Sequence, residues 1–105
     1  MAGKASDPTD HSTKLRYDLI PPEALEELAR VYTLGSRKYG DNDYLEGMDW
    51  RRVIGAMIRH LEAFRGGESD DAEGFKHLAA VAWGAFTLMT YERLGLGVDD
   101  RDLVP

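Results

Sequence analysis

Between Leu78 and Met89 the chain carries Leu78, Val81, Ala82, Trp83, Ala85, Phe86, Leu88 and Met89, which at helical spacing point in every direction around the axis. A helix apolar on all sides is buried on all sides. The remaining sequence offers only two further helices, too few to surround this one. The stretch therefore predicts an all-α fold, a small helical bundle completed by homo-oligomerisation as a dimer or tetramer, with Gly84 and Ala85 allowing close approach. The length of 105 residues allows one domain at most. A domain this small buries only roughly two-thirds of its unfolded surface, so a partner subunit meets the same need.

The clearest periodicity lies upstream. Trp50, Val53, Ile54, Met57, Ile58, Leu61 and Phe64 recur at i, i+3, i+4, i+7, i+8, i+11 and i+14, with Asp49 placed to cap and Gly66-Gly67 to stop the helix. A first helix is expected from Pro21-Pro22, where proline is pre-organised and Glu23, Glu26 and Glu27 complement the positive end of the dipole. It ends near Gly35 to Gly40, and its stripe is Leu25, Leu28, Ala29 and Tyr32. Gly40-Asp-Asn-Asp reads as a turn. The third helix is expected from about Asp70 to Leu94, with Asp70, Asp71 and Glu73 at its start and Gly95 as its stop. No segment reads as a strand. Residues 1–14 and 96–105 are expected to be tails, and 15–95 the folded domain.

Charge and composition narrow the function. With 13 Lys+Arg against 19 Asp+Glu the formal charge is −6, the wrong sign for gripping a phosphate backbone, so no polymeric nucleic acid is expected as partner. The absence of cysteine removes disulfides, thiolate zinc sites and cysteine nucleophiles together. The low-charge run 78–91 falls short of the ~20 residues of a membrane span, and residues 1–13 lack the apolar run of a signal peptide. A cytoplasmic protein is expected, without membrane association.

Any metal must then be held by carboxylates and imidazoles. On a third helix beginning at Asp70, the side chains of Asp70, Glu73 and His77 fall within about 60° of one another, with Asp71 some 100° from Asp70. Hard cations such as Mg²⁺ or Mn²⁺ prefer carboxylates, and a histidine can complete the set. The alternative is that Asp70 and Glu73 only complement the dipole and His77 packs at an interface. Glu26 pairs with Arg30 at i,i+4 on a wet face. Glu27, at the edge of the apolar stripe, could reach a shared metal. Glu62 could ligate or pair with Arg51. His60 lies on the opposite border from Glu62, about 160° away, and reads as a packing or ligand-contacting histidine. Lys38, Arg51, Arg52 and Arg59 could hold phosphates as charge-assisted donors. There is no His-Asp doublet, no glycine-rich phosphate loop and no nucleophile elbow.

The order of pieces is specific. Leu19-Ile20-Pro21 leads into Ala24-Leu25-Glu26-Glu27, then come Lys38-Tyr39-Gly40 with Asp43-Tyr44, Gly47-Met48-Asp49-Trp50, Arg59-His60-Leu61, and Asp70-Asp71-Ala72-Glu73-Gly74-Phe75-Lys76-His77-Leu78. This series, spanning roughly Leu15 to Tyr91, resembles the phage dATP/dGTP diphosphohydrolase N-terminal domain family. That family is similar to the MazG-like all-α nucleotide pyrophosphohydrolases. The resemblance implies a metal-dependent hydrolase, using Mg²⁺ or Mn²⁺, that cuts purine deoxynucleoside triphosphates between the α- and β-phosphates and serves phage control of a nucleotide pool in the host cytoplasm.

By the same resemblance, Asp70-x-x-Glu73 stands for one acidic pair, with Glu62 or Glu27 supplying the other helix. Glu73 and Glu62 are then the catalytic carboxylates, one of them taking the proton of the attacking water. Asp70, Glu73, His77, Glu27 and Glu62 are the metal ligands, and Lys38, Tyr39, Arg51, Arg59 and His60 the substrate contacts. Tyr39, Tyr44 and Trp50 are candidates to stack on a purine. The chain departs from the family at Asp43-Tyr44, where Asn-Trp is usual, and at Ala80, where a second histidine is expected. The rival reading is a non-catalytic helical module that binds a partner or senses a nucleotide.

Overall fold

The computed structural model describes residues 14–102. Three helices carry the fold: α1 (Pro22–Tyr39), α2 (Trp50–Arg65) and α3 (His77–Leu94), with short 3₁₀ turns at Tyr17–Leu19 and Asp43–Glu46. Among the described residues there is no strand, only isolated backbone bridges between Asp49 and Val98 and between Asp70 and Lys76. No helix among them is long and apolar enough to cross a membrane. The tail expected at residues 1–14 falls, except for Lys14, outside the described residues.

α1 starts one residue after Pro21 and is closed by Gly40, whose N–H donates to the Ser36 carbonyl at 2.8 Å. α2 follows Asp49, which takes the capping position without a side-chain cap bond, and stops at Gly66. α3 packs chiefly on α2 and secondarily on α1. Its inward face is His77, Ala80, Gly84, Thr87 and Tyr91, a helical series in which small residues let the backbones close. At Gly84 an added Cβ would collide with the Met57 side chain of α2.

The core is Trp50, Val53 and Tyr91, surrounded by Tyr44, Met48, Met57, Leu88 and Leu96. Tyr91 is wholly buried, and its hydroxyl donates to the Tyr44 carbonyl at 2.6 Å, tying α3 to the turn after α1. The Trp50 indole donates to the Leu96 carbonyl at 2.9 Å, and the Arg101 guanidinium lies over its ring at 5.0 Å. Trp50 is therefore a core residue, not a base-stacking platform.

Two expectations are corrected. Residues 96–98 belong with the bundle: the Trp50 N–H donates to Val98 O at 2.9 Å and the Val98 N–H to Met48 O at 3.3 Å. Gly47 and Gly97, both at positive φ, approach so closely that a Cβ on either would meet the other segment's backbone. The third helix begins at His77 and not at Asp70, because residues 70–76 turn back on themselves. Lys76 pairs with Asp70 at 2.7 Å, and Gly74 takes a φ of 93°.

The outward side of α3 is not covered. Leu78, Phe86 and Met89 are 44%, 46% and 56% exposed, and Ile58, Leu61 and Phe64 of α2 are exposed as well. The all-round apolarity of Leu78 to Met89 is thus satisfied on one face within a single chain.

Candidate functional site

The loop between α2 and α3 is organised around Asp71. Its N–H donates to the Phe75 carbonyl at 2.8 Å and its carbonyl accepts from the Gly74 N–H at 2.9 Å. Its Oδ1 accepts the Glu73 N–H at 2.8 Å, the self-bonding that makes Asp a turn residue. Held in this way, Asp71 aims Oδ2 at two imidazoles. His60, in the third turn of α2, and His77, the first residue of α3, each place Nδ1 at 3.9 Å from that oxygen. The two Nδ1 atoms are 2.9 Å apart.

His77 is 5% exposed. Its N–H donates to Ser69 O at 3.0 Å, and its Nε2 lies 3.3 Å from Glu68 Oε2. Because a carboxylate only accepts, the proton of neutral His77 sits on Nε2, leaving the Nδ1 lone pair facing His60 and Asp71. His60 packs edge-on against Phe75 with centroids 5.8 Å apart. Burial, foremost, pushes the His60 pKa below its usual 6.5, with His77 and Arg59 adding to the shift and Asp71 opposing it. The neutral form is the one that binds metals.

These donors fit a divalent ion. His60 Nδ1, His77 Nδ1 and Asp71 Oδ2 lie within 4.8 Å of one another. Two imidazole nitrogens and one carboxylate oxygen are the donor types that zinc and related ions take.

A cleft of about 900 Å³ opens beside the cluster, between the C-terminal half of α1, residues 41–44, α2 and α3, within the ~300–1,000 Å³ of small-molecule sites. His60 forms part of its wall, with Lys38, Tyr39 and Glu73 along its lining. Lys38 Nζ and the Glu73 carboxylate form a close ion pair across the gap between α1 and the loop, and Glu73 holds the Lys38 pKa above its ordinary value. Tyr32, Tyr44 and Trp83, also in the lining, form an aromatic group with centroids 5.8, 6.3 and 6.4 Å apart.

Of the metal ligands expected from sequence, only His77 enters the cluster. Asp70 is turned to Lys76, and Glu73 to Lys38 in the cleft. Glu27 lies near Arg30 at 3.5 Å and Glu62 pairs with Arg65 at 2.6 Å, neither reaching the imidazoles. The shared face of Asp70, Glu73 and His77 dissolves because the first two are not on the helix. Among the expected substrate contacts, Lys38, Tyr39 and His60 line the cleft. Arg51 is instead engaged with Asp102 at 3.3 Å, and Arg59 lies alongside Gly55, outside the cleft lining.

Sequence reading missed Asp71, Glu68 and Trp83. Asp71 was legible as the first residue of an Asp-Ala-Glu-Gly turn, the pattern of Asp at i and Gly at i+3. Neither Glu68 nor Trp83 carries a comparable local signal.

Fold and site together define an all-α domain with a small-molecule cleft and a carboxylate-imidazole cluster at its wall. The chain belongs to the dATP/dGTP diphosphohydrolase, N-terminal, family, whose model matches residues 4–101. A dATP/dGTP diphosphohydrolase from Salmonella phage PMBT28 is 38% identical over 72 residues, covering 68% of this chain and 24% of that protein. The chain thus spans about a quarter of the length of the curated relative it matches. No solved structure matches it.

Proposed function

We propose that the chain hydrolyses purine deoxynucleoside triphosphates, dATP or dGTP, to the monophosphate and pyrophosphate, with Mg²⁺ or Mn²⁺, as a homo-oligomer serving phage control of the nucleotide pool. The observation that carries this reading is the cleft, whose lining brings together Lys38, Glu73, an aromatic group and His60, the one member of the imidazole-carboxylate cluster that reaches it. Family membership and the name of the phage relative support the substrate class.

An acidic protein binds a polyanion only with help. His60, Asp71 and His77 would hold a divalent ion, whose chemistry there would be to neutralise phosphate oxygens and acidify water. Lys38 Nζ leaves Glu73 for the phosphates and steadies the charge that gathers on the departing pyrophosphate. The freed Glu73 carboxylate, already on the cleft wall, accepts the proton of the attacking water. Glu62, engaged by Arg65, is left out of this scheme. Tyr32, Tyr44 and Trp83 offer the apolar surface on which a purine packs.

The test is pyrophosphate release from dGTP and dATP by the intact chain with Mn²⁺ or Mg²⁺. Release that is abolished in Glu73→Gln, with helicity retained, is the expected result. No release in the wild type, or a Glu73→Gln variant of full rate, overturns the reading. Nucleotide binding without turnover would point instead to a sensing module.

A further inference from the structure

The donor set beside the cleft is not the one an oxygen-loving ion would choose. Mg²⁺ keeps its waters and takes one or two carboxylates, whereas imidazole suits later first-row ions. Here two of the three converging atoms are imidazole nitrogens, and the single carboxylate contributes one oxygen because the other accepts the Glu73 N–H. We propose that His60, Asp71 and His77 form a site selective for a later first-row ion, Co²⁺ or Zn²⁺, over Mg²⁺, with Glu68 as the positioning residue that fixes the ligating tautomer of His77. The ion's use in turnover rests on the hydrolytic reading above, but its selectivity is a property of the donors alone.

Three features favour an ion over a mere histidine pair. Two Nδ1 atoms at 2.9 Å need one shared proton, and Glu68 at Nε2 leaves His77 without one on that side. His60 must therefore supply it, and can release the position at no cost in charge by moving its proton to Nε2. The ligand set then carries one negative charge, so a bound dication keeps a net positive charge for a phosphate oxygen. The arrangement also comes from three separate elements, α2, the loop and α3, each holding its ligand by its own backbone or side-chain bonds. A carboxylate behind a ligating histidine is the usual device for orienting the ring, and its loss typically weakens metal binding 10–100-fold.

Co²⁺ is the probe, because a protein site of low coordination number gives intense visible bands, whereas octahedral Co²⁺ on exposed carboxylates gives only weak ones. One equivalent should bind the intact, metal-stripped chain with visible bands, resisting a hundredfold excess of Mg²⁺ and yielding to Zn²⁺. Asp71→Asn and His60→Gln, both at partly exposed positions and checked for helicity, should abolish the bands. Glu68→Gln should keep the stoichiometry and weaken binding by at least tenfold, and Glu68→Asp should recover part of it. Displacement by equimolar Mg²⁺, or unchanged bands in His60→Gln, overturns the site. Bands that stay at wild-type affinity in Glu68→Gln overturn the positioning role. A site that binds Co²⁺ in a chain that releases no pyrophosphate sinks the hydrolytic reading and leaves this one standing. Pyrophosphate release by a wild-type chain that shows no Co²⁺ bands does the reverse.

Discussion

Lys38 and Tyr91 illustrate how differently two polar side chains earn their places. The Lys38–Glu73 pair is an exposed one, and such pairs contribute about 0–1 kcal/mol to stability. Lys38→Ala should therefore leave the urea midpoint nearly unchanged while raising the KM for the triphosphate severalfold, which steady-state kinetics beside a denaturation curve will separate. Tyr91 is wholly buried and donates to Tyr44 O, which also accepts the Gly47 N–H at 3.1 Å, so Tyr91→Phe should cost about 0.5–1.5 kcal/mol, the net worth of one hydrogen bond. Burial raises the Tyr91 pKa above its usual 10, helped by Asp43 and Tyr44 and opposed by a Met48 backbone hydrogen bond. With the folded value above the unfolded one, the neutral phenol's stabilisation is complete below pH 10 and is lost as pH rises through the raised pKa. Urea midpoints from pH 7 to 11 should fall at the alkaline end for the wild type and less steeply for Tyr91→Phe, Tyr32, also raised by burial, supplying the remaining slope.

The elements show what sequence could and could not reveal. The starts of α1 and α2 and the stop of α2 were legible, because proline, aspartate and glycine mark them locally, while Ile58, Leu61 and Phe64 of the apolar stripe on α2 stay exposed in the single chain. The start of α3 was not. Asp70, Asp71 and Glu73 before an apolar run look like charges complementing a helix dipole, yet the Asp71 turn and the Asp70–Lys76 pairing take them off the axis. That one misplacement removed Asp71 from consideration, since its position was judged by projection on a helix it does not join. His77 was legible as a member of a polar cluster, but its neighbour His60 was not, because only the packing of α2 on α3 brings them together. The seam of residues 96–98 was equally invisible, resting on two glycines whose meaning is mutual. Gly97→Ala, which combines a left-handed backbone with a collision against Met48, should lower stability by about 2–4 kcal/mol, readable as a drop in the denaturation midpoint.

At the scale of the molecule, the exposed band of Leu78, Phe86 and Met89 is the feature a lone chain leaves unsatisfied. In the proposed homo-oligomer a second copy would cover these side chains, in keeping with the all-round apolarity of the helix. Light scattering should therefore return at least twice the 11.8 kDa of the chain. Phe86→Glu with Met89→Glu should return the single-chain mass with helicity kept, and a wild type that runs at 11.8 kDa would refute the assembly.

The two tryptophans occupy separate worlds, one beneath Arg101 in the core and the other on the cleft wall. The protein thereby contains two optical reporters that answer different questions. Emission from Trp50 should follow global melting, while quenching of Trp83 should track occupancy of the cavity. A Trp83→Phe chain would then lose the titration signal but not the thermal one.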